Sequence, residues 1–220
     1  MFVGMWMVKD LLTIKPESPL GDIASLMARH RIRRLPVVAE DHALLGIVSY
    51  SDVLHAFPPD INPFSAVAED DLHRLGEDSR GLTARDIMHP NPLSIASTDP
   101  IEKAALLMRD KKIGALPVMD NHRLVGLITE SDLFRAFSAL FDTREAGVRI
   151  TFDISSGEDV FPVVSQLITT HHLKLHTFVS LPHHSRPLCV VNIFGKNAHK
   201  MVDALWASKH AVVNVIPLGS

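Results

Sequence analysis

Two short motifs, Ser49-x-x-Asp52 and Thr129-x-x-Asp132, each place a hydroxyl three residues ahead of a carboxylate. That spacing is a capping-box-like signature of a helix N-terminus, with Asp in the place of the usual Glu. Neither pair has a histidine base beside it. The chain also has no nucleophile elbow, P-loop or Rossmann glycine fingerprint. No catalytic residue is expected, and the chain reads as a non-enzyme. Its thirteen histidines invite a metal reading, above all His171, His172 and His176 with His183-His184 beyond them. A zinc site needs three or four converging ligands held by supporting hydrogen bonds, and no His-x-x-x-His pair with a carboxylate stands out on a helix. These histidines read as surface residues, and no metal is expected. The one cysteine, Cys189, excludes an intrachain disulfide and a Cys-rich zinc site. It sits in an apolar strand and reads as a small buried residue.

The elements that carry the two motifs form a repeat. Thr13-Ile14 falls on Ser94-Ile95 at an offset of 81, and Ser18-Pro19-Leu20 on Asp99-Pro100-Ile101. Arg34-Leu35-Pro36-Val37-Val38 falls on Ala115-Leu116-Pro117-Val118-Met119 at the same offset. Gly46-Ile47-Val48-Ser49 then meets Gly126-Leu127-Ile128-Thr129 at 80, one residue having been lost in the turn. Each copy reads as strand–helix–strand–strand–helix. Ser18-Pro19 and Asp99-Pro100 supply an N-cap followed by Pro at the first helical position. Ile23, Leu26 and Met27, and Ala104, Leu107 and Met108, mark the buried helix face. A second helix starts near Ser51 or Ser131. One copy is too small to bury both of its faces alone.

Repeat one is placed at 1–57, a polar linker at 58–81 and repeat two at 82–140. The linker holds Pro58-Pro59-Asp60 and the acidic Glu69-Asp70-Asp71. Over 147–218 the pattern changes to βαββαβ. Val148, Ile150, Phe152 and Ile154 alternate as a strand, and Val160, Val163, Val164 and Leu167 make a helical face. Two strands follow around the polar turn His183 to Arg186. A helix then carries Met201 and Leu205, and a closing strand runs from Ala211 to Ile216. This order is the ferredoxin-like split βαβ arrangement. The fold class is α+β, a module of two repeats related by a pseudo-twofold axis and followed by the ferredoxin-like domain.

The twin patterns "LPVV…GIVSYSD" and "LPVM…GLITESD" resemble a tandem pair of CBS domains, the Bateman module. The βαββαβ segment resembles an ACT domain, and the domain order resembles the family of bacterial acetoin-utilisation protein B. The resemblance implies a cleft between the paired repeats that binds an adenine nucleotide (AMP, ADP, ATP or a related adenosyl ligand) as a regulatory ligand, with no cofactor required. By position, Ser49 or Thr129 would donate to ribose or phosphate, and Asp52 or Asp132 would accept from the ribose diol. Thr13, Ile14, Leu35 and Pro36, with Ser94, Ile95, Leu116 and Pro117, would line the adenine slot. Copy one carries Arg29, Arg31, Arg33 and Arg34 where copy two has Asp110, Lys112, Gly114 and Ala115. A guanidinium fork suits phosphate, so the phosphorylated nucleotide is expected to prefer the site of Arg34 and Asp52. In ACT domains a glycine loop after the first strand helps hold an amino acid. Here Asp153 to Gly157 fills that place, but Glu158-Asp159 interrupt the usual pattern.

The 220 residues are 46% hydrophobic and 21% charged, with a formal net charge of −3. That balance offers no positive field for nucleic acid or an anionic membrane surface. No apolar run approaches the roughly 18 residues of a membrane span. Met1 to Val8 lacks the basic start and cleavage site of a signal peptide. The expectation is a cytoplasmic regulatory sensor, a homodimer, relaying nucleotide binding to a regulated protein or to the ACT-like domain. Two other readings stay open: a dimerisation or partner-docking protein with no small-molecule ligand, and amino-acid sensing through the ACT-like domain.

Overall fold

The computed structural model describes residues 1–59, 62–64, 81–141, 145–182 and 186–219. Most of the expected linker and the turn at 183–185 lie outside the described residues. The chain divides into two compact units, Met1–Arg135 and Ala136–Ser220.

In the first unit, repeat one contributes helix α1 (Leu20–His30), strands β1 (Arg34–Val38) and β2 (Leu44–Ser49), and helix α2 (Tyr50–Ala56). Repeat two contributes α3 (Ala84–Ile87), the two-residue β3 (His89–Pro90), α4 (Ile101–Lys111), β4 (Ala115–Asp120), β5 (Arg123–Thr129) and α5 (Glu130–Leu140). The unit boundary falls within α5. The β1–β2 and β4–β5 hairpins are antiparallel, and each carries an irregularity near its turn, between Val37 and Val38 and between Val118 and Met119. Asn121 and His122 join β4 to β5 with positive φ at both positions (49° and 63°), the geometry of the tightest hairpin turns. Ile14 and Ile95 lie parallel to β1 and β4 through matching bridges to Val37 and Val118.

The repeats exchange their leading segments. Val8 pairs with Leu127 of repeat two, while His89 and Pro90 pair with Ile47 and Gly46 of repeat one. Phe2 bridges Pro100 as Thr83 bridges Pro19. The conserved spacing explains two glycines. A Cβ on Gly46 would lie 2.7 Å from Met88 Sδ, and one on Gly126 would lie 2.5 Å from Met7 Sδ. Met7 and Met88 are themselves repeat partners at offset 81. Each motif glycine therefore admits the segment delivered by the other repeat. Leu20, Ile23, Ala24, Met27, Leu35, Val37, Val48 and Val53 form the core of repeat one. Ile95, Ala104, Met108, Leu116, Val118 and Ile128 are their buried counterparts in repeat two.

The second unit is a four-stranded antiparallel sheet with two helices. Its elements are β6 (Gly147–Asp153), α6 (Phe161–His171), β7 (Lys174–Leu181), β8 (Leu188–Phe194), α7 (Lys200–Trp206) and β9 (Val212–Leu218). Strand order β7-β8-β6-β9 is the split βαβ topology anticipated from the alternation. Val148, Ile150 and Phe152 of β6 pack with Cys189, Val191 and Ile193 of β8 against Val164, Met201 and Leu205. Burial pushes the Cys189 thiol pKa up, and the Asp159 charge adds to the shift. Among the described residues, no helix is long and apolar enough to cross a membrane.

Candidate nucleotide cleft

Helix α2 begins where the sequence motif implies. The Ser49 amide donates to Asp52 Oδ2 at 2.7 Å, and the Asp52 amide donates back to Ser49 Oγ at 3.3 Å, which completes a capping box. The Ser49 hydroxyl also donates to Asp52 Oδ2 at 2.7 Å. The other carboxylate oxygen, Oδ1, lies 3.1 Å from His89 Nε2 on the exchanged segment. Asp52 keeps 17% of its side chain exposed. In repeat two, Asp132 Oδ2 accepts from the Thr129 amide at 2.9 Å and its hydroxyl at 2.7 Å, and Oδ1 pairs with Arg135 at 3.0 Å. Asp132 is 4% exposed. Both carboxylates thus organise their own helix start, and Asp52 is the more accessible of the two.

Both helix starts open on one cavity of about 790 Å³. Ser49-Tyr50-Ser51 and Thr129-Glu130-Ser131 line it together with His30 to Arg34, Pro36, Gly114 and Leu127. The exchanged segment supplies Val8, Asp10, Leu11 and Leu12. Arg31 closes α1 in the left-handed conformation at φ 53°, which turns the chain so that Arg33 and Arg34 follow into β1. Arg34 is half-buried, and burial pulls its pKa below the ordinary arginine value while Glu130 opposes that shift. Its guanidinium lies against Gly114, where any Cβ would collide with it, and the same Cβ would sit 3.1 Å from Glu130 Oε2. Arg34 therefore reaches across to repeat two. Tyr50, beside Ser49, stacks on Phe64 with ring centroids 3.8 Å apart.

Of the expected site residues, Arg34, Pro36, Ser49 and Thr129 line the cavity, whereas Asp52 and Asp132 do not. Ile14, Leu35, Ile95, Leu116 and Pro117 are buried in the repeats. Thr13 lines a separate cavity of about 550 Å³ with Lys9, His42 and Arg123, and Ser94 is exposed and lines neither cavity. Gly114, Tyr50, Glu130 and the segment from Val8 to Leu12 are lining residues that motif reading missed. The offset comparison already held a signal for them, because it sets Arg33 against Gly114 and Tyr50 against Glu130. Chemically, the cavity joins guanidinium groups, five hydroxyls and the N-terminus of an eleven-residue helix to walls of Leu, Val, Ile and Pro. That combination can accept an anion together with a flat apolar group. Among the described residues no group of three or more His, Cys, Asp or Glu gathers as metal ligands would.

Known proteins carry the same arrangement. The CBS domain family model matches residues 3–59 and 84–139, just over half of the chain. A CBS domain-containing protein of Dictyostelium discoideum is 37% identical over 136 residues, which is 60% of this chain and 87% of that protein. The crystal structure of CBSX2 in complex with AMP aligns at a TM-score of 0.52 and 27% identity, covering 64% of this chain and 98% of that one. CBSX2 is a protein of Arabidopsis thaliana. A putative acetoin utilization protein (AcuB) from Vibrio cholerae aligns at 0.51 and 29% identity, covering 64% and 93%. The chain spans only 32% of an inosine-5'-monophosphate dehydrogenase of Korarchaeum cryptofilum to which it is 28% identical. With both repeats matched and their exchanged segments in place, the chain belongs to the CBS domain family.

Proposed function

We propose that the first unit is a non-catalytic regulatory sensor that binds an adenine nucleotide in the cavity between its repeats. The carrying observation is the half-buried Arg34, held beside the N-terminus of α5 in a cavity with apolar walls. The AMP complex of CBSX2 supports adenosine chemistry for this cavity. Neither Asp52 nor Asp132 lines the cavity and both carboxylates have both oxygens engaged; Asp52 is the candidate for the ribose diol because its side chain is 17% exposed against 5% for Asp132. The second unit acts as an ACT-like relay or docking domain of a cytoplasmic homodimer and passes the bound state to a regulated protein. Amino-acid sensing has less support. Asp153 accepts from the Ser155 amide and pairs with Arg186 of the β7–β8 connection at 2.9 Å, so the carboxylate that opens the loop after β6 is already engaged.

The test is calorimetric titration with AMP, ADP, ATP and S-adenosylmethionine, alongside Asp52→Ala and Asp132→Ala. Binding by the parent protein, weakened at least tenfold by Asp52→Ala and less by Asp132→Ala, is the expected result. No heat and no thermal shift with any adenosine ligand would overturn the sensor and favour a ligand-free interaction scaffold.

A further inference from the structure

A second cavity, of about 550 Å³, opens at the other end of the two hairpins. The nucleotide cleft lies where β2 and β5 run into their helices, at Ser49 and Thr129. The second cavity lies at the turn ends, bounded by Asp41 and His42 of the β1–β2 turn and by Arg123, the first residue of β5. Lys9 joins them from the leading segment. Leu11, Val38 and Leu124 form an aliphatic wall, with Val38 buried and the two leucines half-buried. Opposite charges line this cavity without neutralising one another. Asp41 Oδ1 accepts from the Ala43 amide at 3.1 Å, and His42 follows at φ 64°, so the turn holds the carboxylate in place. Among the described residues Asp41 forms no ion pair, and the side chains of Lys9 and Arg123 have no hydrogen-bond or ion-pair partner.

A ligand carrying one sign of charge fits this lining poorly. A phosphate or a simple carboxylate gains Lys9 and Arg123 but faces Asp41, and an amine alone faces both cations. A zwitterion satisfies both signs at once, with its carboxylate at Lys9 and Arg123 and its ammonium at the free oxygen of Asp41. The aliphatic wall then takes an apolar side chain, whose burial adds to affinity in proportion to its area. We propose that this cavity binds one free α-amino acid with an aliphatic side chain per chain. The site lies wholly in the first unit. It is independent both of the nucleotide reading and of the loop after β6, where amino-acid sensing has less support.

The experiment is calorimetric titration of the full chain with leucine, glutamate and 4-methylpentanoate, which is leucine without its amine. It is run on the parent protein, Arg123→Ala and Asp41→Asn, with a thermal melt of each. Asn accepts from the Ala43 amide as Asp does, so the turn survives that change. Leucine is expected to bind at one site per chain, with glutamate and 4-methylpentanoate at least tenfold weaker. Each substitution is expected to weaken leucine at least tenfold while leaving the melting temperature of the free protein unchanged. Glutamate or 4-methylpentanoate binding as tightly as leucine would overturn the proposal. So would leucine binding that both variants keep, since the amino acid would then sit elsewhere. Absence of heat and of any thermal shift with leucine would also overturn it, and would leave the nucleotide reading standing.

Discussion

Gly126 shows how one missing methyl group sets the shape of the cleft. Its Cα faces Met7 Sδ and the carbonyl oxygen of Val8, the residue that pairs with Leu127 and then leads into the cavity wall. A Cβ there would sit 2.9 Å from that oxygen, which is backbone and cannot rotate away. Gly126→Ala is expected to cost about 1–3 kcal/mol, the usual penalty of overpacking, measured as a lower urea midpoint at unchanged slope. Gly114 is a different case, because its neighbour is the flexible end of Arg34. A side chain there would displace the guanidinium rather than the backbone.

At the scale of elements, the helix starts divide by where their caps come from. The Ser49–Asp52 box is local, three residues apart, and so was legible as a motif. Ser18 and Asp99 read equally well as caps, yet Pro19 and Pro100 are the capping positions and neither helix has a side-chain cap. The Ser18 hydroxyl instead accepts from the Lys15 amide at 3.0 Å. The helix amides of Leu20 and Ile101 donate to the carbonyls of Leu82 and Met1, on segments delivered by the other repeat. A partner more than sixty positions away leaves no trace in a local window, which is why both helices begin one residue later than the residue types suggest.

The far ends of α1 and α4 offer a direct test of backbone strain. Both close on a non-glycine residue in the left-handed region, Arg31 at φ 53° and Lys112 at φ 54°. Glycine is the residue that occupies this position without steric cost. Lys112 does not line the cleft. Lys112→Gly is therefore expected to stabilise the protein by roughly 0.5–1 kcal/mol, raising Tm by about 1–4 °C in a differential scan.

For the whole molecule, the acid limit follows from carboxylates that the fold holds ionised. Asp99 has its pKa lowered by Lys103 and the Ala96 amide, and Asp86 has its pKa lowered by the Thr83 amide and hydroxyl. Asp153 is lowered by its bonds to Ser155, and Glu17 by Arg85. A pKa depressed by folding contributes stability that is complete above the unfolded value and lost as pH falls through the folded one. Stability from these groups is expected to hold above the ordinary values of 3.8 and 4.5 and to fall below them. Urea titrations between pH 6 and pH 3 would show it, and Asp86→Asn would make the acid-side decline shallower.

The exchanged segments also constrain how quickly the native state can be reached. Val8 must find Leu127, and His89 must find Ile47, before either hairpin is complete on its outer side. Closing such large loops loses entropy before the contacts repay it, and chains dominated by distant pairings fold slowly for that reason. Neither repeat can serve as a finished template for the other, so the two are expected to cross the folding barrier together. During synthesis the first repeat must then wait, with its sheet unfinished, until the second has emerged.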